Sequence, residues 1–205
     1  MDVHFDPPLV AIMRGLTPGE APAVGATLFA AGFRLLEVPL NRPGALEAIA
    51  ALVAIAPPDA VVGGGTILSV ADVEAVHAAG GCMMVAPNCN PAVIRRAAEL
   101  GMLCAPGIAT PTEAFQALDA GAHALKIFPA EMVGQAGLKA INTVLPPGTP
   151  VWPVGGITPE SLGAWVNAGA TGFGIGSQLF GPRVTSAEVG ERARRYVDAW
   201  KSARG

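Results

Sequence analysis

The sequence predicts an α/β chain folded as a single (β/α)8 TIM barrel over residues 1–205, and three observations carry that reading. Eight short apolar runs recur about every 21 to 27 residues, the length of one strand plus one helix. Each run is apolar almost throughout, as a parallel strand covered on both faces requires. Between the runs lie Ala- and Leu-rich stretches that open on helix caps and close on glycines.

The first run, residues 10–14, is followed by Thr17-Pro18, a cap and an N1 proline that open a helix closing at Gly32. The second, 35–40, leads to Asn41 ahead of Pro43 in the same style. The third, 61–66, precedes Ser69 and Asp72, and its helix closes at Gly80. After the fourth, 82–87, come Asn90-Pro91 and a stop at Gly101. Thr110-Pro111 and Gly121 bracket the helix after the fifth, 103–108. The sixth, 124–129, runs into a helical stretch containing Lys139. Thr158-Pro159-Glu160 and Gly169 follow the seventh, 151–157, and the eighth, 172–177, leads to a last helix at 186–201. Glycine at such stops fits a left-handed C-cap.

The rival topology is an open doubly wound sheet. Its sequence support is Gly172-Phe173-Gly174-Ile175-Gly176, a faint likeness to a dinucleotide fingerprint that ends the last unit with no ribose-binding unit after it. A chain of 205 residues, 51% hydrophobic, suits one sizeable core. Only 14% of residues are charged, while Gly (26) and Pro (19) are plentiful, which points to tight turns around a large interior and to a buried subunit interface. The net charge of -3, with no basic run, sets nucleic acid aside as a partner. Cys82, Cys89 and Cys104 form no CxxC pair and read as reduced buried thiols. His4, His77 and His123 are scattered without ligand spacing, so no His-based metal site is expected. The N-terminal MDVHFDPPLV lacks a basic region followed by an apolar core, and no apolar run approaches a membrane span, so a cytoplasmic protein is expected.

In such a barrel the functional groups sit at the C-terminal ends of the strands. The polar residues that interrupt or end the runs there are Arg14, Glu37, Thr66, Asn88, Lys126 and Ser177, with the Gly155-Gly156 pair. Lys126 is the one lysine in a predicted strand; Lys139 and Lys201 fall on stretches that read as solvated. A buried ammonium is costly unless paired or deprotonated, and an apolar site leaves a free amine able to attack a carbonyl. The alternative is a buried ion pair with Glu37. Glu37, a lone charge in Leu-Leu-Glu-Val-Pro-Leu, is either a proton carrier with a raised pKa or a counter-ion for Lys126 or Arg14, and both roles are compatible. Gly155, Gly156, Gly176 and Ser177 close strands seven and eight, where backbone N–H groups form phosphate cradles; the plain alternative is tight turns. Gly63-Gly64-Gly65 leaves room for a substrate beside the Thr66 hydroxyl. Arg14 suits a bidentate carboxylate contact or an external ion pair.

Taken together, Leu36-Glu37-Val38, Gly63-Gly64-Gly65-Thr66, Lys126-Ile127-Phe128-Pro129-Ala130, Pro153-Val154-Gly155-Gly156-Ile157-Thr158-Pro159 and Gly176-Ser177 resemble the family of 2-keto-3-deoxy-6-phosphogluconate and 6-phosphogalactonate aldolases. The resemblance runs from residue 10 to about residue 200 and implies a class I aldolase. Lys126 would be the Schiff-base lysine and Glu37 the proton carrier. Arg14 and Thr66 would contact the pyruvate portion, and Gly155, Gly156, Gly176 and Ser177 the phosphate. It implies a homotrimer with no metal and no cofactor beyond the covalent adduct on Lys126. The gluconate branch carries threonine just before the Gly-Gly pair and arginine four residues after the glutamate; here those positions are Val154 and Asn41. Ile12-Met13-Arg14-Gly15, Val38-Pro39-Leu40-Asn41 and Pro87-Asn88 also resemble the galactonate branch. The substrate expected from this likeness is 2-dehydro-3-deoxy-6-phosphogalactonate, cleaved to pyruvate and D-glyceraldehyde 3-phosphate in galactonate catabolism, with the gluconate epimer as the alternative. A phosphate-binding-barrel isomerase or epimerase would share the cradle without needing a lone lysine in strand six. A non-catalytic sugar-phosphate sensor would not need the lysine and glutamate.

Overall fold

In the computed structural model, which describes residues 5–204, every apolar run forms strand, and each strand is shorter than its run. The strands are β1 (Leu9–Ile12), β2 (Leu35–Pro39), β3 (Val61–Gly65), β4 (Met83–Val85), β5 (Leu103–Ala105), β6 (Gly107–Ile108), β7 (Leu125–Ile127), β8 (Val151–Pro153) and β9 (Phe173–Ile175). The helices are α1 (Ala21–Ala30), α2 (Ala45–Val53), α3 (Val70–Ala78), α4 (Pro91–Glu99), α5 (Pro111–Asp119), α6 (Ala130–Asn142), α7 (Leu162–Asn167) and α8 (Ser186–Arg204), with a 3-10 turn at Pro159–Ser161. His4 lies outside the described residues. No helix among those described is long and apolar enough to cross a membrane.

All strand pairings are parallel, but the expected ring of eight strands is laddered as two sheets. One has the order β5-β4-β3-β2-β1-β9 and the other β6-β7-β8. The first break lies inside the fifth run, at Pro106, which has no N–H to give to a ladder. Its carbonyl still accepts from the Lys126 N–H at 2.9 Å. The second lies between β8 and β9, which share the single bridge Val154 to Gly174.

The caps follow local chemistry. Ser69 with Asp72 and Thr110 with Glu113 form reciprocal capping boxes, and Asn90 accepts from the Ala92 N–H at 3.1 Å. Two expected starts move. Thr17 and Glu20 instead close a turn on each other, and α1 begins after Glu20. Asn41 caps nothing; α2 starts from Gly44, whose φ of 79° is left-handed. Thr185, one residue before the expected start at 186, opens α8 with Glu188, the pair exchanging hydrogen bonds at 2.8 and 3.3 Å.

Strand alternation then decides what faces the centre. Val10, Leu35, Met83, Val85, Leu103, Ala105, Ala124 and Trp152 form one apolar cluster on the inner face. The other side chains of the same strands, such as Leu9, Leu36, Met84, Cys104, Leu125 and Phe173, join the larger cluster under the helices. Two residues beyond Leu35 on the same face comes Glu37, and two beyond Ala124 comes Lys126. Both charges are therefore turned inward by the strand period. α8 packs against α1 and α7, and its buried Tyr196 donates from its hydroxyl to the Ile157 carbonyl at 2.7 Å, which pins the turn after β8. The three thiols are free but not all buried. Cys104 is buried in the larger core and Cys89 half-buried, whereas Cys82 is exposed, because it precedes β4 at the end of the sheet remote from the site.

Candidate active site

Inside the curled sheet, Glu37 and Lys126 border one small space together with Val10, Ile12, Val85, Ala105, Trp152, Val154 and Gly174. Its volume is 10 Å³, about that of one water. Glu37 is 2% exposed and Lys126 7%. The ion pair considered from the sequence does not form: no ion-pair contact joins them among the described residues. Instead Glu37 Oε2 is buried with no hydrogen-bond partner among the described residues. A buried acceptor left unsatisfied costs stability, so it marks a site with a purpose beyond folding.

Burial sets the protonation of both groups. It pushes the Glu37 carboxyl above its ordinary value, with the Lys126 and then the Arg14 charge pulling back. It pushes the Lys126 amine below its ordinary value; the Glu37 charge opposes this and Arg14 adds to it. Each group is thus driven towards its neutral form, an amine beside a carboxylic acid. The Lys126 Nζ also lies 4.9 Å from the Phe128 ring centroid.

Above this centre opens a cleft of 640 Å³ at the C-terminal ends of the strands. Arg14, Val154, Gly155, Gly156, Gly176 and Ser177, all singled out in the sequence, line it. Val154 and Ile12 border both spaces, and Phe128 joins them through its contact with Lys126. Gly155 and Gly156 have φ of 116° and 62°, and a side chain on either would run into the Glu131 carboxylate behind them. Glycine is needed there for conformation and for space. Gly174 has a different reason: a Cβ on it would meet Val154 Cγ2 at 2.6 Å, so this fingerprint-like glycine serves packing.

Thr66 and Asn88 line neither space. Thr66 holds a φ of 55°, a costly conformation for a β-branched residue. It follows Gly65, over which the Glu37 carboxylate lies: a Cβ on Gly65 would sit 2.7 Å from Glu37 Cδ. Glu37 is buried and has little room to retreat. Gly65→Ala should therefore displace the carboxylate and lower kcat by about 10²-fold. Unchanged kcat in a folded Gly65→Ala protein would show that Glu37 needs no such placement.

Sequence reasoning misses Arg42, Arg183 and Phe128, all lining the cleft. Phe128 stands inside the lysine motif. Arg42 and Arg183 lie in connecting segments beyond strand ends, where a charge is unremarkable until the fold brings it to the rim. Lys139 and Lys201 are exposed, as expected. Among the described residues no cluster of three or more His, Cys, Asp or Glu could hold a metal ion.

A family model described as KDPG and KHG aldolase matches residues 6–192. The 2-dehydro-3-deoxy-6-phosphogalactonate aldolase of Escherichia coli K12 is 43% identical over 196 residues, 96% of each chain. A probable 2-dehydro-3-deoxy-6-phosphogalactonate aldolase of Rhizobium meliloti is 42% identical over 97% of this chain and 93% of its own. The solved structure described as native KDPGal superposes with a TM-score of 0.96 at 42% identity, covering 100% of this chain and 99% of that one.

Proposed function

We propose that this chain, which belongs to the KDPG and KHG aldolase family and is a carbon–carbon lyase, cleaves 2-dehydro-3-deoxy-6-phosphogalactonate to pyruvate and D-glyceraldehyde 3-phosphate through a Schiff base on Lys126. The observation that carries the reading is the pairing of a buried, charge-depleted amine with an unsatisfied carboxylate oxygen across one small inner space. The Lys126 amine attacks the C2 ketone, and the carbinolamine hydroxyl leaves as water with the proton of the Glu37 carboxyl; the resulting iminium draws electrons from the C3–C4 bond, and Glu37 is left as the carboxylate. Glu37, directly or through one water, takes the proton of the C4 hydroxyl. The bond breaks and D-glyceraldehyde 3-phosphate leaves. The enamine is protonated at C3, and water then hydrolyses the iminium to free pyruvate and Lys126. The covalent adduct supplies the electron sink, so the scheme calls on no cofactor.

Arg14, which acts electrostatically on both groups, holds the substrate carboxylate; the contact of Thr66 with the pyruvate portion belongs to the proposal as well, although Thr66 lines neither space. Gly155, Gly156, Gly176 and Ser177 hold the phosphate. The proposal includes closure of the two sheets, across Pro106 and the Val154 to Gly174 bridge, into one (β/α)8 barrel domain. It also includes assembly as a cytoplasmic homotrimer, supported by the exposed apolar side chains of Leu68, Phe115 and Met132.

The test is pyruvate release from the two C4-epimeric substrates in parallel, with borohydride trapping of the enzyme. Val154 cannot hydrogen-bond a C4 hydroxyl, so the galactonate epimer should be cleaved at least as fast as the gluconate epimer. Val154→Thr should shift the ratio of kcat/KM towards the gluconate epimer by about 10-fold, the worth of one hydrogen bond. Equal rates for the wild type, unmoved by Val154→Thr, would remove Val154 from the specificity argument.

A further inference from the structure

We propose that Arg42 and Arg183 form a two-arginine clamp at the outer end of the cleft that grips the phosphomonoester of the substrate. The inference deepens the aldolase reading and rests on it. Its basis is the strand order. β2, β1 and β9 are consecutive neighbours in the larger sheet, and the segment after each sends one arginine to the same cleft: Arg42, Arg14 and Arg183. Residues far apart in sequence are thus brought to one rim.

The three arginines divide by depth. The Arg14 charge acts on both Lys126 and Glu37, so Arg14 belongs to the inner end. Neither Arg42 nor Arg183 figures among the charges that act on those two groups. A substrate with C2 on Lys126 and its carboxylate beside Arg14 extends its C6 phosphate away from the centre, towards the outer pair. Both outer side chains are exposed, and neither has an ion-pair partner among the described residues. Among the described residues the one carboxylate lining the cleft, Glu20, is engaged by the Thr17 hydroxyl at 2.6 Å and the Thr17 N–H at 3.2 Å. The rim therefore carries an excess of positive charge over negative, with planar donors suited to a phosphate dianion.

Arg183 adds an independent sign. Its φ of 68° is left-handed, a conformation that costs free energy in a residue with a side chain and persists where surrounding structure enforces it. It follows the turn in which the Gly176 carbonyl accepts from the N–H groups of Leu179 and Phe180, at 2.8 and 3.0 Å. That turn joins Arg183 to Gly176 and Ser177. The glycines offer directional backbone donors, and the two arginines supply the charge that neutralises the dianion.

Arg42→Ala, Arg183→Ala and the double variant decide the matter. Each single change should raise KM for the 6-phospho substrate about 10-fold and the double about 10²-fold, with kcat within threefold of wild type. The inhibition constant of inorganic phosphate should rise in step. Half-saturation of borohydride trapping by pyruvate, which has no phosphate, should not change. Arg95→Ala, an exposed arginine on α4 away from the cleft, controls for overall charge and should behave as wild type. The clamp is overturned if KM and phosphate inhibition stay within twofold of wild type, or if pyruvate half-saturation weakens as much as KM, which would place these arginines on the carboxylate. Should the wild type cleave neither epimer, the aldolase reading fails on its own. Calorimetric titration with inorganic phosphate still judges the clamp: weaker binding by the double variant supports it, and equal binding or none by the wild type overturns it.

Discussion

Lys126→Ala is expected to lower turnover by about 10⁴-fold or more and to abolish borohydride-dependent labelling by pyruvate. The size of the effect follows from the position. Burial holds this amine below its ordinary pKa, which favours the neutral, nucleophilic form over that of an exposed lysine. Lys139 and Lys201 are exposed on helices and border neither space of the site, so neither can substitute. Peptide mapping of the trapped wild-type protein should place the label on Lys126. A label on another residue, or none, would remove the Schiff base from the mechanism. Because Lys126→Ala also opens space in the inner core, Lys126→Met serves as the paired variant. It keeps the volume, removes a buried ionisable group, and should fold with at least wild-type stability at neutral pH. Retained folding with lost activity in Lys126→Met would separate chemistry from packing.

Glu37→Gln should leave the final extent of labelling by pyruvate intact while lowering kcat by about 10²- to 10⁴-fold. Adduct formation needs the amine; cleavage needs a group that accepts the C4 hydroxyl proton, and an amide cannot. Loss of both labelling and turnover would instead make Glu37 a support for Lys126. The same substitution has a stability signature. The carboxyl holds its proton more tightly folded than unfolded, so above its ordinary value of 4.5 the folded state binds more protons than the unfolded state. Stability of the wild type therefore falls as pH rises through the window from 4.5 to the raised folded pKa. Lys126 acts in the opposite sense: between its lowered folded pKa and 10.5 the unfolded chain holds the extra proton, and stability rises with pH. Glu37→Gln cancels the first effect and, by removing the charge that opposes the lowering of the Lys126 pKa, deepens the second. Its Tm advantage over wild type should accordingly grow as pH rises from 4.5. A difference in Tm that is flat with pH would mean that burial does not set the state of Glu37.

Much of the site is legible in the sequence because its two central residues break a strong local rule. A charge inside an apolar strand is expensive, so Glu37 and Lys126 are conspicuous from their neighbours alone, and the period of the strand turns each towards the centre with Leu35 and Ala124. The Gly155-Gly156 pair is legible for a similar reason, since no other residue combines those φ values with the space left by Glu131. Helix starts with a reciprocal partner three residues on, such as Ser69 with Asp72, are also readable. The start at Gly44 is not, because a lone glycine carries no such partner and Asn41 offers a competing cap. Pro106 falls inside what reads as one continuous strand, although its missing N–H splits that strand in two.

The sequence by itself determined the succession of strand and helix, the inward pair of titratable groups, and the family, because all three are written in local periodicity and contiguous motifs. Only the tertiary structure decided that Glu37 and Lys126 share a space without forming an ion pair. It alone placed Thr66 beyond both lining sets, exposed Cys82, and brought Arg42 and Arg183 to one rim beside Arg14. The physical reason is the same in each case. Such relations depend on which strands are neighbours and how far side chains reach across the sheet, and neighbouring strands place side by side residues that the chain holds far apart.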